Sequence, residues 1–371
     1  MKIAIVVPGG MDRTGEYRVI PVFLALIGRL ARRHEVHVYV LHQEPLPATW
    51  TLLGATVHNI GEGWPRLRAI AAIRAEHRRA PFALVHAIFS GACSLIAVTA
   101  ARLLRIASVV HIAGGELVAL HAIGYGGRRR WKGRWREAVT LRATDAVTAA
   151  SAPIVDALAA LGVAARRIPL GVDVTAWPPM APRRRAAPKA RLIHVASLNR
   201  VKDQTTLFRA LAALRDAGVD FGIDVVGVDT LAGQMHSLVH ELGLGDHVRF
   251  LGFRTQRELR PLMAAADLLV MSSMHEAGPL VLLEAAVAGV PTVGTAVGHI
   301  AEWSPTAALA VDVGDWVGLA TAVQRVLVDE ALRCRLAAAA QERALAEDAD
   351  YTARTFEALY RELLARRGAV A

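Results

Sequence analysis

Cysteine is nearly absent from this 371-residue chain: Cys93 and Cys334 stand far apart and outside any metal-ligand spacing. A disulfide scaffold is excluded, and the expectation is two reduced structural thiols in a cytoplasmic protein. Aromatic residues are also scarce, at 5%. The longest stretch without Asp, Glu, Lys or Arg in the N-terminal half, Ala80 to Ala101, contains Pro81, His86 and Gly91. It reads as a buried strand, a turn and a helix rather than the roughly 20 uniformly apolar residues of a membrane span. Ile3 to Val7 is too short an apolar run for a signal peptide and no small-residue cleavage site follows, so export is not expected.

Several motifs are missing, and each absence removes a class. No βα turn carries the GxGxxG dinucleotide fingerprint. Gly10 and Gly15 have phosphate-loop spacing, but Glu16 and Tyr17 stand where Lys and Ser/Thr are required. There is no GxSxG elbow, and His275-Glu276 lacks the second His of a zinc protease. Asp348 and Asp350 form the one obvious DxD, in a segment that reads as the solvated face of a helical tail. No metal site is expected.

What the chain does have is apolar material, 54% against 20% charged, and a mean hydropathy of +0.34. At ~100–200 residues per domain this length favours two domains or one large α/β unit. The formal net charge is +10, and it is unevenly placed: residues 1–150 hold 20 Lys and Arg against 9 Asp and Glu, while the remainder is nearly balanced. Such an asymmetry points to an anionic partner of the first part, either a membrane surface, a phosphorylated acceptor or nucleic acid.

Short β-branched runs alternate with helical stretches. Ile3 to Val7, Val36 to Leu41, Leu84 to Ile88, Ser108 to Ile112 and Ala146 to Ala149 read as strands buried on both faces of a parallel sheet. A Pro- and Arg-rich stretch, Leu170 to Ala190, reads as a linker. Strands resume at Leu192 to Ala196, Ile223 to Val226, Val248 to Leu251, Leu268 to Met271 and Pro291 to Gly294. The reading is an α/β chain of two Rossmann-like doubly wound domains in tandem, residues 1–169 and 170–371, with no strand after about Val313.

The strongest positive signal runs from His275 through Glu276, Gly278, Pro279, Leu280, Val281 and Glu284 to Ala285. Gly278 and Pro279 suit the cap and first turn of a helix following a strand. The free amides of Leu280 and Val281 would then face an anion at the carboxyl edge of the sheet. Glu276 lies just before that helix, and Glu284 in its second turn leans back toward the N-terminus. Two carboxylates that accept from sugar or ribose hydroxyls, beside amides that suit phosphate, outline a nucleotide-sugar site.

This segment resembles the donor-site signature of retaining GT-B fold glycosyltransferases of family 4, two Glu separated by seven residues and a helix ending in Gly-x-Pro, here Gly289-Val290-Pro291. Val195 to Asp203 is similar to the family's loop that holds the donor diphosphate. Lys202 matches its Lys; Ser197 stands at the usual Arg, so the second cation is assigned to Arg200. Ile168 to Asp173 resembles the interdomain Pro-Asn-Gly-Val-Asp, with Leu170 for Asn. Val226-Gly227 resembles the next glycine turn, with Asp229 in place of a second Gly. The resemblance implies an interdomain cleft, with Gly10 and Gly15 in a first βα loop over donor phosphates and acceptor. It also implies His111 beside the reacting sugar, Glu116 on the acceptor side, and a final helix, about 350–367, packing toward the N-terminal domain.

Arg128, Arg129, Arg130, Trp131, Lys132, Arg134, Trp135 and Arg136 form a basic, Trp-bearing cluster. It reads either as a solvated basic face or as an interfacial helix with rings at headgroup level on an anionic membrane. No nucleic-acid module accompanies it, so nucleic acid is not an expected partner.

The expectation is therefore a retaining hexosyltransferase without cofactor or metal, taking a nucleotide-sugar donor and a glycan, lipid-linked or other envelope acceptor. Its location would be cytoplasmic or peripheral on the inner face of the plasma membrane. Alternatives are a nucleotide-sugar epimerase on the same fold and a catalytically silent carbohydrate- or membrane-binding protein.

Overall fold

The computed structural model describes residues 1–368. The chain divides into two units: Met1–Asp173 with the C-terminal segment from Asp348, and Val174–Glu347. The boundary falls four residues later than the sequence reading placed it. The last segment, which that reading counted with the second domain while expecting its helix to pack toward the first, belongs to the first unit.

In the first unit, strands β1 (Lys2–Val7), β2 (Glu35–Val40), β3 (Ala48–Leu52), β4 (Ala55–Asn59), β5 (Leu84–Ile88), β6 (Ala107–Ile112), β7 (Ala146–Ala149) and β8 (Arg166–Arg167) form one sheet. Their order is β3-β4-β2-β1-β5-β6-β7-β8. All pairings are parallel except β3 with β4, an edge hairpin turning at Leu53 and Gly54, both at positive φ. Sequence reading passes over this hairpin because its outer strand is half exposed and carries no long apolar run. The final helix, Ala349–Gly368, sets Ala353, Phe356, Leu359, Tyr360 and Leu363 into the same core as Ile3, Ile5 and Val109. At roughly 1.5–3 kcal/mol for each large apolar side chain fully buried, this face holds the C-terminal segment firmly on the first unit.

Arg29, on the Pro21–Ala31 helix, donates to both oxygens of Asp173 at 3.0 and 3.2 Å and to Asp350 at 2.8 Å. Nearby, the Ala349 amide donates to the Val172 carbonyl at 3.0 Å.

In the second unit, β9 (Ala190–Val195), β10 (Phe221–Val226), β11 (Val248–Gly252), β12 (Leu268–Met271), β13 (Thr292–Thr295) and β14 (Leu309–Val311) are ordered β11-β10-β9-β12-β13-β14, all parallel. Three-residue β14 is too short to read from sequence. The core includes Leu192, Phe208, Leu211, Ile223, Leu268, Val270 and Val293. The strand order reverses between β9 and β12, and in such sheets ligands bind beyond the carboxyl ends at that switch.

Candidate functional site

At that switch point two loops, one after β9 and one after β12, are tied together. The Ser272 hydroxyl donates to the Lys202 carbonyl at 2.8 Å, and the Met274 amide to the Val201 carbonyl at 2.7 Å. Lys202 Nζ lies 2.6 Å from Glu276 Oε1, which also accepts from Ser273 Oγ at 2.7 Å. Thr295, at the end of β13, donates to the Ser273 carbonyl at 2.6 Å and fixes the loop from the other side. Arg200 is exposed and makes no hydrogen bond or ion pair among the described residues. Gly227, at φ +152, lies so close to the β9 loop that a Cβ would meet the Ala196 carbonyl oxygen at 2.0 Å. Asp229 accepts from the Leu231 and Gly233 amides, which depresses its pKa and closes the turn with a carboxylate where a glycine was expected.

Pro279 is the N-cap of the helix Leu280–Val287, one residue further on than the sequence reading placed the cap. The Leu280 and Val281 amides precede the first intrahelical bond and take no partner among the described residues. Glu284 is 3% exposed, and burial pushes its carboxyl up to about 7. Its partner is Gln256, whose amide nitrogen donates to Oε1 at 2.7 Å. Behind the β9 loop, His194 is buried between the Val270 carbonyl and Gln204, and desolvation lowers it to about 4.

In the first unit, Gly10 adopts φ +85, and its amide, with that of Met11, donates to the Gln43 side-chain oxygen at 2.9 and 3.0 Å. Gly15, also at positive φ, closes a turn on the Asp12 carbonyl. The loop is thus pinned by Gln43. Glu116 accepts from the Ser90 amide at 3.1 Å and the Gly114 amide at 2.7 Å. Its carboxylate knits two loops, and burial raises its pKa against those hydrogen bonds.

His111 corrects the sequence reading. It sits within β6 on the core face, wholly buried, with Nδ1 at 2.9 Å from Thr148 Oγ1 and its ring edge-on to Phe356. Desolvation lowers it to about 3. A neutral imidazole enclosed in this way does not reach a substrate, so no catalytic role is assigned to it.

The basic cluster is corrected in part. Trp131 opens the helix Trp131–Ala143, and Trp131, Trp135 and Val139 form an exposed stripe at helical spacing. Arg128, however, turns inward to Glu137 at 2.6 Å, and Arg136 buries its Nε. Arg129, Arg130, Lys132 and Arg134 remain outward. The one cluster of His and acids with metal-ligand proximity among the described residues is Glu35, His37 and Glu76. The Lys2 ammonium lies between its two carboxylates, 3.0 and 2.6 Å away, in the place a cation would take. No described helix is long and apolar enough to cross a membrane.

Two family descriptions match consecutive parts of the chain: Glycosyltransferase Family 4 over residues 22–176, and Glycosyl transferases group 1 over residues 181–343. The chain belongs to the group 1 glycosyltransferases of GT-B fold. Among its relatives, the lipopolysaccharide core biosynthesis glycosyltransferase LpsE of Rhizobium meliloti is 40% identical over 106 residues, 28% of this chain and 30% of that protein. The matched segments span 30 to 48% of the curated relatives' lengths. The fold is shared with sucrose-phosphate synthase from Thermosynechococcus elongatus, with TM-score 0.79 and 20% identity over 98% of this chain and 99% of that one. It is shared as well with Anabaena HepE in complex with UDP-glucose, with TM-score 0.72 and 19% identity over 99% and 100%.

Within this glycosyltransferase fold, sequence reasoning missed Ser272, Ser273, Gln256, Gln43 and Trp177. Trp177 Nε1 donates to Gln256 Oε1. Ser272 and Ser273 stand directly after an all-apolar strand, a signal that places them at the sheet's carboxyl edge. The other three carry no local motif.

Proposed function

We propose that the protein is a retaining glycosyltransferase that moves a hexose from a nucleotide-diphosphate sugar to an acceptor of the cell envelope. The observation that carries the reading is that the loop after β12 and the helix following it carry Glu276 paired with Lys202, the buried Glu284, and Leu280 and Val281 amides that have no partner among the described residues. Family membership supports transfer chemistry, the UDP-glucose complex of HepE makes UDP the first nucleotide to test, and the LpsE likeness supports an envelope acceptor.

In this mechanism the amides and Lys202, with Arg200 beside them, receive the diphosphate, whose negative charge grows as its bond to the sugar anomeric carbon breaks. Glu284 accepts from the ribose hydroxyls and Glu276 from the hexose hydroxyls, holding the sugar so that the acceptor oxygen attacks the face the diphosphate leaves. The acceptor's proton passes to a departing phosphate oxygen, which retains the anomeric configuration. Charge stabilisation comes from side chains and amides, so no metal ligand enters the account.

Calorimetry with nucleoside diphosphates, followed by product analysis with their sugars, tests this. Tight binding of a diphosphate and an α-linked product from an α-linked donor are expected. Donor turnover without acceptor would make the protein an epimerase, and absence of binding would make it a silent scaffold.

A second observation favours membrane attachment of the first unit. Trp131 and Trp135 are each 65% exposed on one helix face, beside Arg130, Lys132 and Arg134. Such a face suits the headgroup layer of an anionic leaflet, where a lipid-linked acceptor would be met.

A further inference from the structure

We infer that Trp177 and Gln256 form a two-step hydrogen-bond relay that delivers an N–H to Glu284 and holds its carboxyl in the form that accepts from ribose. The inference rests on the donor-site reading above, and its parts lie entirely within the second unit.

An amide side chain can turn either end toward a neighbour, so its orientation has to be set by chemistry. Indole has one polar hydrogen and no acceptor, so the Gln256 atom facing Trp177 Nε1 must be the oxygen. The nitrogen then points to Glu284, 2.7 Å away. The backbone of Gln256 is fixed as well: it opens the helix Gln256–Ala265, whose Thr255–Glu258 capping box is complete. Trp177 is 4% exposed, and Arg260 of the same helix donates to the Ala176 carbonyl at 2.8 Å, so the indole does not swing away.

Without the relay, a flipped amide would aim its oxygen at Glu284 and favour the protonated acid. Nothing else offsets the cost of ionising this buried group. Gln256 is its one hydrogen-bond partner among the described residues, and burial and this bond are what act on its carboxyl. Of the charges on the helices packed against its own, Arg257 is exposed to solvent. Glu258 serves the capping box, Arg260 the Ala176 carbonyl, Arg333 pairs with Glu330, Arg343 reaches Thr306, and Glu276 is held by Lys202 and Ser273. Trp177 and Gln256 are positioning residues: they act on the nucleotide through Glu284.

The test combines carboxyl-carbon NMR of glutamate-labelled protein, in which Glu284 is the resonance lost in Glu284→Gln, with UDP calorimetry. The variants are Gln256→Met and Trp177→Phe, plus 3-benzothienylalanine placed at position 177, which keeps the bicycle and lacks the N–H. In each, the Glu284 midpoint moves to higher pH, UDP affinity at pH 7 falls roughly tenfold, and most of the loss is regained at pH 9. An unmoved midpoint, or an equal loss at both pH values, overturns the relay. If the midpoints move while Glu284→Gln binds UDP as the wild type does, the relay stands and the ribose reading fails.

Discussion

Lys202 places its ammonium 2.6 Å from a carboxylate oxygen of Glu276, a residue 74 positions away in sequence. Each neutralises the other, and on the proposed reading an incoming diphosphate would have to win the lysine from the glutamate. On that reading the same exchange would free Glu276 to face the sugar, and phosphate and hexose recognition would be coupled through one ion pair.

Lys202→Met should therefore weaken UDP more than UMP, because the contact is to the distal phosphate. A charge-assisted hydrogen bond of ~1.5–3 kcal/mol corresponds to roughly a tenfold to hundredfold rise in the UDP dissociation constant. Calorimetry with both nucleotides checks it; equal losses would place the lysine elsewhere.

Glu284→Ala and Glu276→Ala should separate by kinetic signature. Removing Glu284 weakens nucleotide binding, whereas removing Glu276 mainly lowers kcat, each by roughly tenfold to a hundredfold. Steady-state kinetics beside nucleotide titrations measure the split, and two variants with wild-type kinetics and intact fold would remove both residues from the site.

The buried Glu284 also sets a pH dependence. Its folded pKa, about 7, lies above the ordinary value of 4.5, so the folded state holds the extra proton between those limits. Its contribution to stability is consequently present below pH 4.5 and lost as pH rises through 7. Thermal melts of wild type and Glu284→Gln from pH 5 to 8 should converge at the acid end, with the wild type falling further at the alkaline end. Parallel curves would contradict the burial argument.

His111→Phe should keep transfer within roughly threefold of wild type, since the ring fills core beside Phe356. The histidine's depressed pKa means that its neutral form supports the fold above about pH 6.5 and that this support is lost as pH falls toward 3. The variant should accordingly unfold at lower pH than the wild type. A hundredfold fall in kcat in a stable His111→Phe protein would restore a catalytic role.

Replacing Arg129, Arg130, Lys132 and Arg134 with Gln should abolish co-sedimentation with anionic liposomes and leave UDP affinity unchanged. At ~1 kcal/mol per cation near an anionic surface, four outward charges give reversible binding that salt weakens over a Debye length of ~8 Å. Wild-type protein that ignores such vesicles at low salt would leave a soluble phosphorylated acceptor as the account of the charge.

Ten of the fourteen described strands and the Glu276–Glu284 segment were legible because each is a local signal: a β-branched run, or a spacing set by one loop and one helix. The residues that hold them were not. Gln256 reaches Glu284 from 28 positions away and Trp177 reaches Gln256 from 79, contacts that depend on which strands become neighbours. His111 misled for the complementary reason. At a strand end, the alternation of side chains decides whether a polar group faces a loop or the core, and one residue of register reverses the answer.

The grip of Arg29 on both Asp173 and Asp350 brings together the two points at which the chain leaves and re-enters the first unit. The second unit is consequently a single uninterrupted stretch of chain that leaves the first after Asp173 and returns to it at Asp348. Cutting out Val174–Glu347 and joining Asp173 to Asp348 through a short turn would leave all eight strands of the first sheet, and the helix that closes its core, in one continuous polypeptide.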